Sequence, residues 1–177
     1  MNKNYLTFKM ILSSLFLVLA IILPFFTGQI PEIGQMLCPL HIPILLCGFI
    51  CGWKYGLLTG FITPLLRSLI FGAPPLYPSA LAMAFELAIY GLITGVLYYL
   101  LPKNKINIYL SLISSMIIGR IVWGFSMFIL LEVKGGTFTF SSFMAGALIN
   151  AIPGIIIQII LIPFIIVIVE PRIKKIN

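Results

Sequence analysis

The chain's 177 residues are 61% hydrophobic and 8% charged, with a mean hydropathy of +1.18, which excludes a soluble globular domain, where roughly a quarter of residues carry charge. The formal net charge of +7 lies on Lys and Arg residues scattered singly or in pairs between apolar runs, so it reads as membrane orientation and not as a nucleic-acid surface. At about 20 apolar residues per crossing the length leaves room for roughly six or seven spans and no soluble domain, so residues 1–177 are expected to form a single integral membrane domain.

The first apolar run, about residues 6–26, follows Lys3 and Lys9 and is closed by Pro24. No A-x-A-like cleavage site follows it, so it reads as a retained helix. The second run, about 36–53, is interrupted by Pro39 and Pro43 and holds Cys38, Cys47 and Cys51, an odd set of thiols that argues against a disulfide framework. A third run, about 55–71, contains Pro64 and Arg67. The fourth, about 79–101, starts at a Tyr77-Pro78-Ser79 turn, where proline fits the first helical turn, and contains Glu86. The fifth, about 106–131, contains Arg120. The sixth, about 143–169, follows the cap candidates Ser141 and Ser142 and contains Pro153 and Pro163. These runs are too long and continuous for barrel strands, and backbone in lipid must satisfy its own hydrogen bonds. The expected fold is all-α, a six-helix transmembrane bundle.

Both termini are expected in the cytoplasm, because that orientation gathers Lys3, Lys9, Lys54, Lys103, Lys105, Arg172, Lys174 and Lys175 on the inner side and leaves only Lys134 outside. The external connections are then residues 27–35, 72–78 and 134–140. All three are punctuated by Gly or Pro, whereas the internal ones are tight. Longer structured loops on one side point to a site there.

Glu86 is the most informative residue, since a charge at membrane depth costs about 2.5 to 3.5 kcal/mol and is retained where it is paired or faces a hydrated cavity. At 1.5 Å per residue, Glu86 and Asn150 lie roughly 10 to 15 Å from the external ends of their helices and Arg120 about 16 Å. Arg67 and His41 are shallower, Trp123 sits one turn above Arg120, and Gln158 lies deeper, less clearly part of the set. Their shared depth predicts an outward-facing cavity in which Arg67 and Arg120 engage an acidic or carbonyl-rich part of a small solute. Glu86 and Asn150 would hydrogen-bond its hydroxyl or amine groups, and His41, Tyr77 and Trp123 would supply shape and stacking. The competing reading makes Glu86 and Arg120 a purely structural pair, with Arg67 snorkelling to the headgroups and Asn150 bonding a neighbouring helix.

No P-loop is present to drive transport with ATP and no H-E-x-x-H to hold zinc. Cys38, His41, Cys47 and Cys51 lack the tight paired spacing of zinc sites. No metal, cofactor or nucleic-acid partner is expected, and no enzymatic activity.

The size, the topology and the stretch Phe71 to Gly91, FGAPPLYPSALAMAFELAIYG, resemble the substrate-capturing S component of energy-coupling factor (ECF) vitamin transporters. The resemblance implies a multi-pass protein of a prokaryotic cell membrane. It would bind a water-soluble vitamin or precursor from outside and work with a transmembrane coupling subunit and two cytoplasmic ATPases in an ABC-type importer. It implies that the external loops close over the ligand, making Gln29, Glu32, Gln35, Leu76, Tyr77, Thr137 and Phe138 lid or contact residues. It also implies a docking face of small residues on the first helix, where this chain offers Ser13 and Ala20 but no clean A-x-x-x-A. Two arginines around one glutamate favour an anion such as pantothenate, then hydroxymethylpyrimidine or pyridoxine. The rival readings are a membrane enzyme acting on a lipid or isoprenoid substrate, for which paired acids or a metal cluster would be expected beside Glu86, and a stand-alone transporter, for which repeated halves would be expected.

Overall fold

The structure, a computed structural model, describes residues 3–27, 36–147 and 149–174. The elements are α1 (Lys3–Ile22), continued by a 3-10 turn (Leu23–Thr27), α2 (His41–Cys51), α3 (Trp53–Phe71), a turn (Leu76–Ala80) leading into α4 (Leu81–Leu100), α5 (Lys105–Val133), α6 (Phe140–Ala147), a 3-10 turn (Ile149–Ala151) and α7 (Ile152–Lys174). Among the described residues, four stretches are long and apolar enough to cross a membrane: Leu6–Phe26, Leu76–Leu100, Lys105–Val133 and Phe140–Glu170.

Two runs depart from their sequence outlines for local reasons. In the second, Met36 and Leu37 are helical but the helix breaks at Cys38, which adopts a left-handed conformation (φ 47°) just before Pro39; it resumes at His41 and ends at Gly52 (φ 96°). That leaves an apolar helix of 11 residues. The sixth run divides into α6 and α7, with Pro153 in the first turn of α7, where its missing N–H costs nothing. Helix α3 keeps its expected end: Gly72, left-handed at φ 68°, returns its N–H to the Ser68 carbonyl, a terminator that glycine adopts without a Cβ clash.

Small residues set the packing. Gly56 and Gly60 on α3 face Gly91 and the Leu87 carbonyl on α4, and a Cβ on Gly56 would lie 2.6 Å from the Gly91 oxygen. This is the close backbone approach through which small-x-x-x-small pairs join helices in lipid. The register, Trp53 by Gly95 and Gly60 by Leu87, makes α3 and α4 antiparallel. Helix α2 runs parallel to α4, with Gly48 against Gly91 and Thr94 and Phe49 edge-on to Tyr98 at 5.1 Å. Helix α5 returns antiparallel, with Gly119 under the Tyr90 ring. Helix α1 lies along α3, joined by Phe25 and Phe71 at 5.0 Å. Ile44, Leu45, Leu87, Tyr90, Leu112, Ile162 and Ile166 form the buried centre. These pairings put residues 72–80 and 134–139 at one end of the bundle, here termed the loop end.

Candidate functional site

Toward the loop end, three helices deliver polar side chains to one point. Glu86 on α4 is 1% exposed, and its Oε1 lies 3.0 Å from Arg120 Nη1 on α5 and 3.4 Å from His41 Nε2 at the start of α2. The other Arg120 terminal nitrogen, Nη2, donates to Cys38 Sγ at 3.4 Å. Tyr90, one helical turn from Glu86 and so on the same face, sets its ring 5.2 Å from His41. The left-handed turn at Cys38 makes this possible, because the His41 N–H closes it onto the Cys38 carbonyl at 3.1 Å and so anchors both residues beside Arg120.

Taking a carboxylate and a guanidinium out of water is expensive, and mutual attraction offsets the cost only when the remaining hydrogen-bonding capacity is also used. Here it is not fully used. His41 Nδ1 and Arg120 Nε are buried without a hydrogen-bond partner among the described residues. With Nε2 donating to Glu86, a neutral His41 presents Nδ1 as an acceptor, while Arg120 Nε is a donor. The centre therefore has one acceptor and one donor to offer a small polar guest.

The other expected site residues divide. Trp123, one turn from Arg120, packs edge-on to Phe138 at 6.0 Å and parallel to Phe143 at 6.4 Å, forming an aromatic cover between the centre and the loop end. Tyr77 donates its hydroxyl to the Leu130 carbonyl and has the Lys134 ammonium 4.3 Å over its ring, so it ties its turn to the C-terminal end of α5. Leu76 and Thr137 are exposed. Gln29, Glu32 and Gln35 lie outside the described residues.

Arg67 does not join the centre. Its Nη1 donates to the Ile21 carbonyl at 2.8 Å and its guanidinium lies 5.6 Å from both the Phe25 and Phe71 rings, so α3 turns it toward α1. It is 4% exposed and therefore not snorkelling. Asn150 is exposed on the 3-10 turn between α6 and α7, because the break in the sixth run removes it from the helix on which its depth was counted. Of the two small residues of α1, Ala20 is fully buried, and the Ser13 hydroxyl donates to the Met10 carbonyl at 2.9 Å. Sequence reasoning missed Tyr90, which packs on His41, although its four-residue spacing from Glu86 places it on the same face, and Cys38, which carried no such signal.

A family model for the substrate-specific component of ECF transporters matches residues 8–166. No curated protein and no solved structure matches the chain.

Proposed function

The chain belongs to the substrate-specific components of ECF transporters, and on that premise we propose that the Glu86–Arg120–His41 centre captures a water-soluble vitamin or vitamin precursor entering from the loop end. Membership makes it a multi-pass membrane subunit that binds a small-molecule substrate and pairs with ECF membrane and ATPase modules, not an enzyme. The finer reading places the loop end outside the cell and both termini in the cytoplasm of a prokaryote. Helices α2 and α3 complete six crossings, and two ATPases power uptake through the coupling subunit.

The observation that carries the reading is a buried ion pair whose neighbouring polar atoms, His41 Nδ1 and Arg120 Nε, still lack partners among the described residues. Charge accounting revises the ligand preference. An anion was favoured because two arginines were expected around Glu86, yet Arg67 is engaged on α1 and Arg120 is neutralised by Glu86 at 3.0 Å. An uncharged or zwitterionic solute with hydroxyl and ring-nitrogen groups, of the hydroxymethylpyrimidine or pyridoxine kind, suits the centre better than pantothenate.

Native mass spectrometry of the detergent-purified protein, after exposure to a vitamin mixture, tests the reading. The wild type is expected to retain one vitamin-sized molecule and Arg120→Ala to lose it. A wild type that retains none at sub-micromolar concentration sinks the proposal.

A further inference from the structure

Helix α7 and the 3-10 turn before it bury a stripe of residues at three- and four-residue spacing: Ala151, Gly154, Gln158, Ile162 and Ile166. Gln158 is the polar member of that stripe. It is 1% exposed, and its side-chain carbonyl Oε1 has no hydrogen-bond partner among the described residues. A buried amide carbonyl without a partner costs free energy that an isoleucine at the same position would not.

The position of Gln158 along the bundle follows from its neighbour one turn earlier. Gly154 lies on the same face of α7 and packs on the backbone of Met36 and Leu37, where a Cβ would stand 2.7 Å from the Met36 carbonyl oxygen. That segment runs directly into Cys38, which accepts from Arg120, and into His41, which faces Glu86. One turn along α7 is about 6 Å, which carries Gln158 from the level of Leu37 to that of the first turn of α2. Helix α7 also packs on α5, the helix of Arg120. Three buried polar atoms without partners among the described residues, His41 Nδ1, Arg120 Nε and Gln158 Oε1, thus come from three helices at a level that the helical rise makes about the same.

We propose that Gln158 is a ligand-positioning residue of this centre, its carbonyl accepting a hydrogen bond from an N–H or O–H of the bound solute. His41 Nδ1 accepts a second, and Arg120 Nε donates to an acceptor on the same molecule. The inference rests on the capture reading and deepens it: the solute is compact and carries at least two donors around an acceptor, as an amino- or hydroxymethyl-substituted nitrogen heterocycle does.

The test uses the full chain in detergent. Isothermal titration with hydroxymethylpyrimidine, pyridoxine and pantothenate in turn is paired with thermal unfolding of the ligand-free protein, for the wild type, Gln158→Leu and Gln158→Met. For whichever compound the wild type binds, both variants are expected to bind about tenfold more weakly or worse, the effect of one hydrogen bond left unmade. Their ligand-free melting temperatures should equal or exceed that of the wild type, because an apolar side chain replaces an unpartnered amide. Methylating the ligand's donor should then weaken wild-type binding and leave the variants unaffected. Unchanged affinity in both variants overturns the role of Gln158 and leaves the capture reading standing. A fall in melting temperature with unchanged affinity does the same by making the residue structural. A wild type that binds none of the three overturns both.

Discussion

Arg120 and Arg67 are both buried between helices, and the bundle accommodates them in different ways. Arg120 meets a carboxylate at 3.0 Å, with a histidine on the same oxygen and a thiol on its other terminal nitrogen. Arg67 has a backbone carbonyl at 2.8 Å and two phenyl rings. The first arrangement draws side chains from α2, α4 and α5 and leaves polar atoms over. The second pins α1 to α3 through contacts that use the cation's charge and its flat faces, so depth in the bundle alone does not make an arginine part of a site.

The comparison can be broken most sharply at Glu86. Glu86→Ala strands Arg120 as an uncompensated buried charge and is expected to cost about 3 to 5 kcal/mol of stability, seen as a lower unfolding temperature in detergent. The double change Glu86→Gln with Arg120→Met should recover much of that loss without restoring ligand retention. Equal stability of Glu86→Ala and wild type would show that the pair is not the bundle's electrostatic centre.

Gly91→Val tests the scaffold that holds both arginines in place. Its side chain would enter the Gly56 backbone, and overpacking of this kind costs about 1 to 3 kcal/mol. Thermal unfolding should fall while any ligand retained at low temperature keeps its identity. Arg67→Leu should then separate the two arginines. It gives up ring contacts worth about 0.5 to 2 kcal/mol and lowers the melting temperature modestly, with ligand affinity unchanged by titration. A tenfold loss of affinity would return Arg67 to the site. The smallest effect belongs to Asn150→Ala, which on an exposed turn should change stability by no more than about 0.5 kcal/mol and leave affinity as it is by the same titration.

Depth was legible from the sequence because helical rise is fixed, and it put Glu86 and Arg120 within a few ångströms of one level, whereas His41, expected to be shallower, lies on the same carboxylate oxygen. Direction around each helix was not. Arg67 was at a plausible depth but its helix turns it to α1, and Asn150 was counted along a helix that stops at Ala147 and resumes at Ile152. The glycines that join α3 and α4 were visible as letters, but which of them meet depends on register between helices distant in the chain.

The sequence by itself determined the class and the long helices, since apolar runs with isolated charges have no other stable form in lipid, and it singled out Glu86 by the cost of its charge. Only the tertiary structure decided which arginine Glu86 meets, that His41 shares its oxygen, and that the side-chain carbonyl of Gln158 on α7 is buried without a hydrogen-bond partner among the described residues. Those outcomes depend on helix rotation and register, which the packing of Gly56 on Gly91 and Gly154 on the Met36–Leu37 backbone settles and which no local pattern encodes.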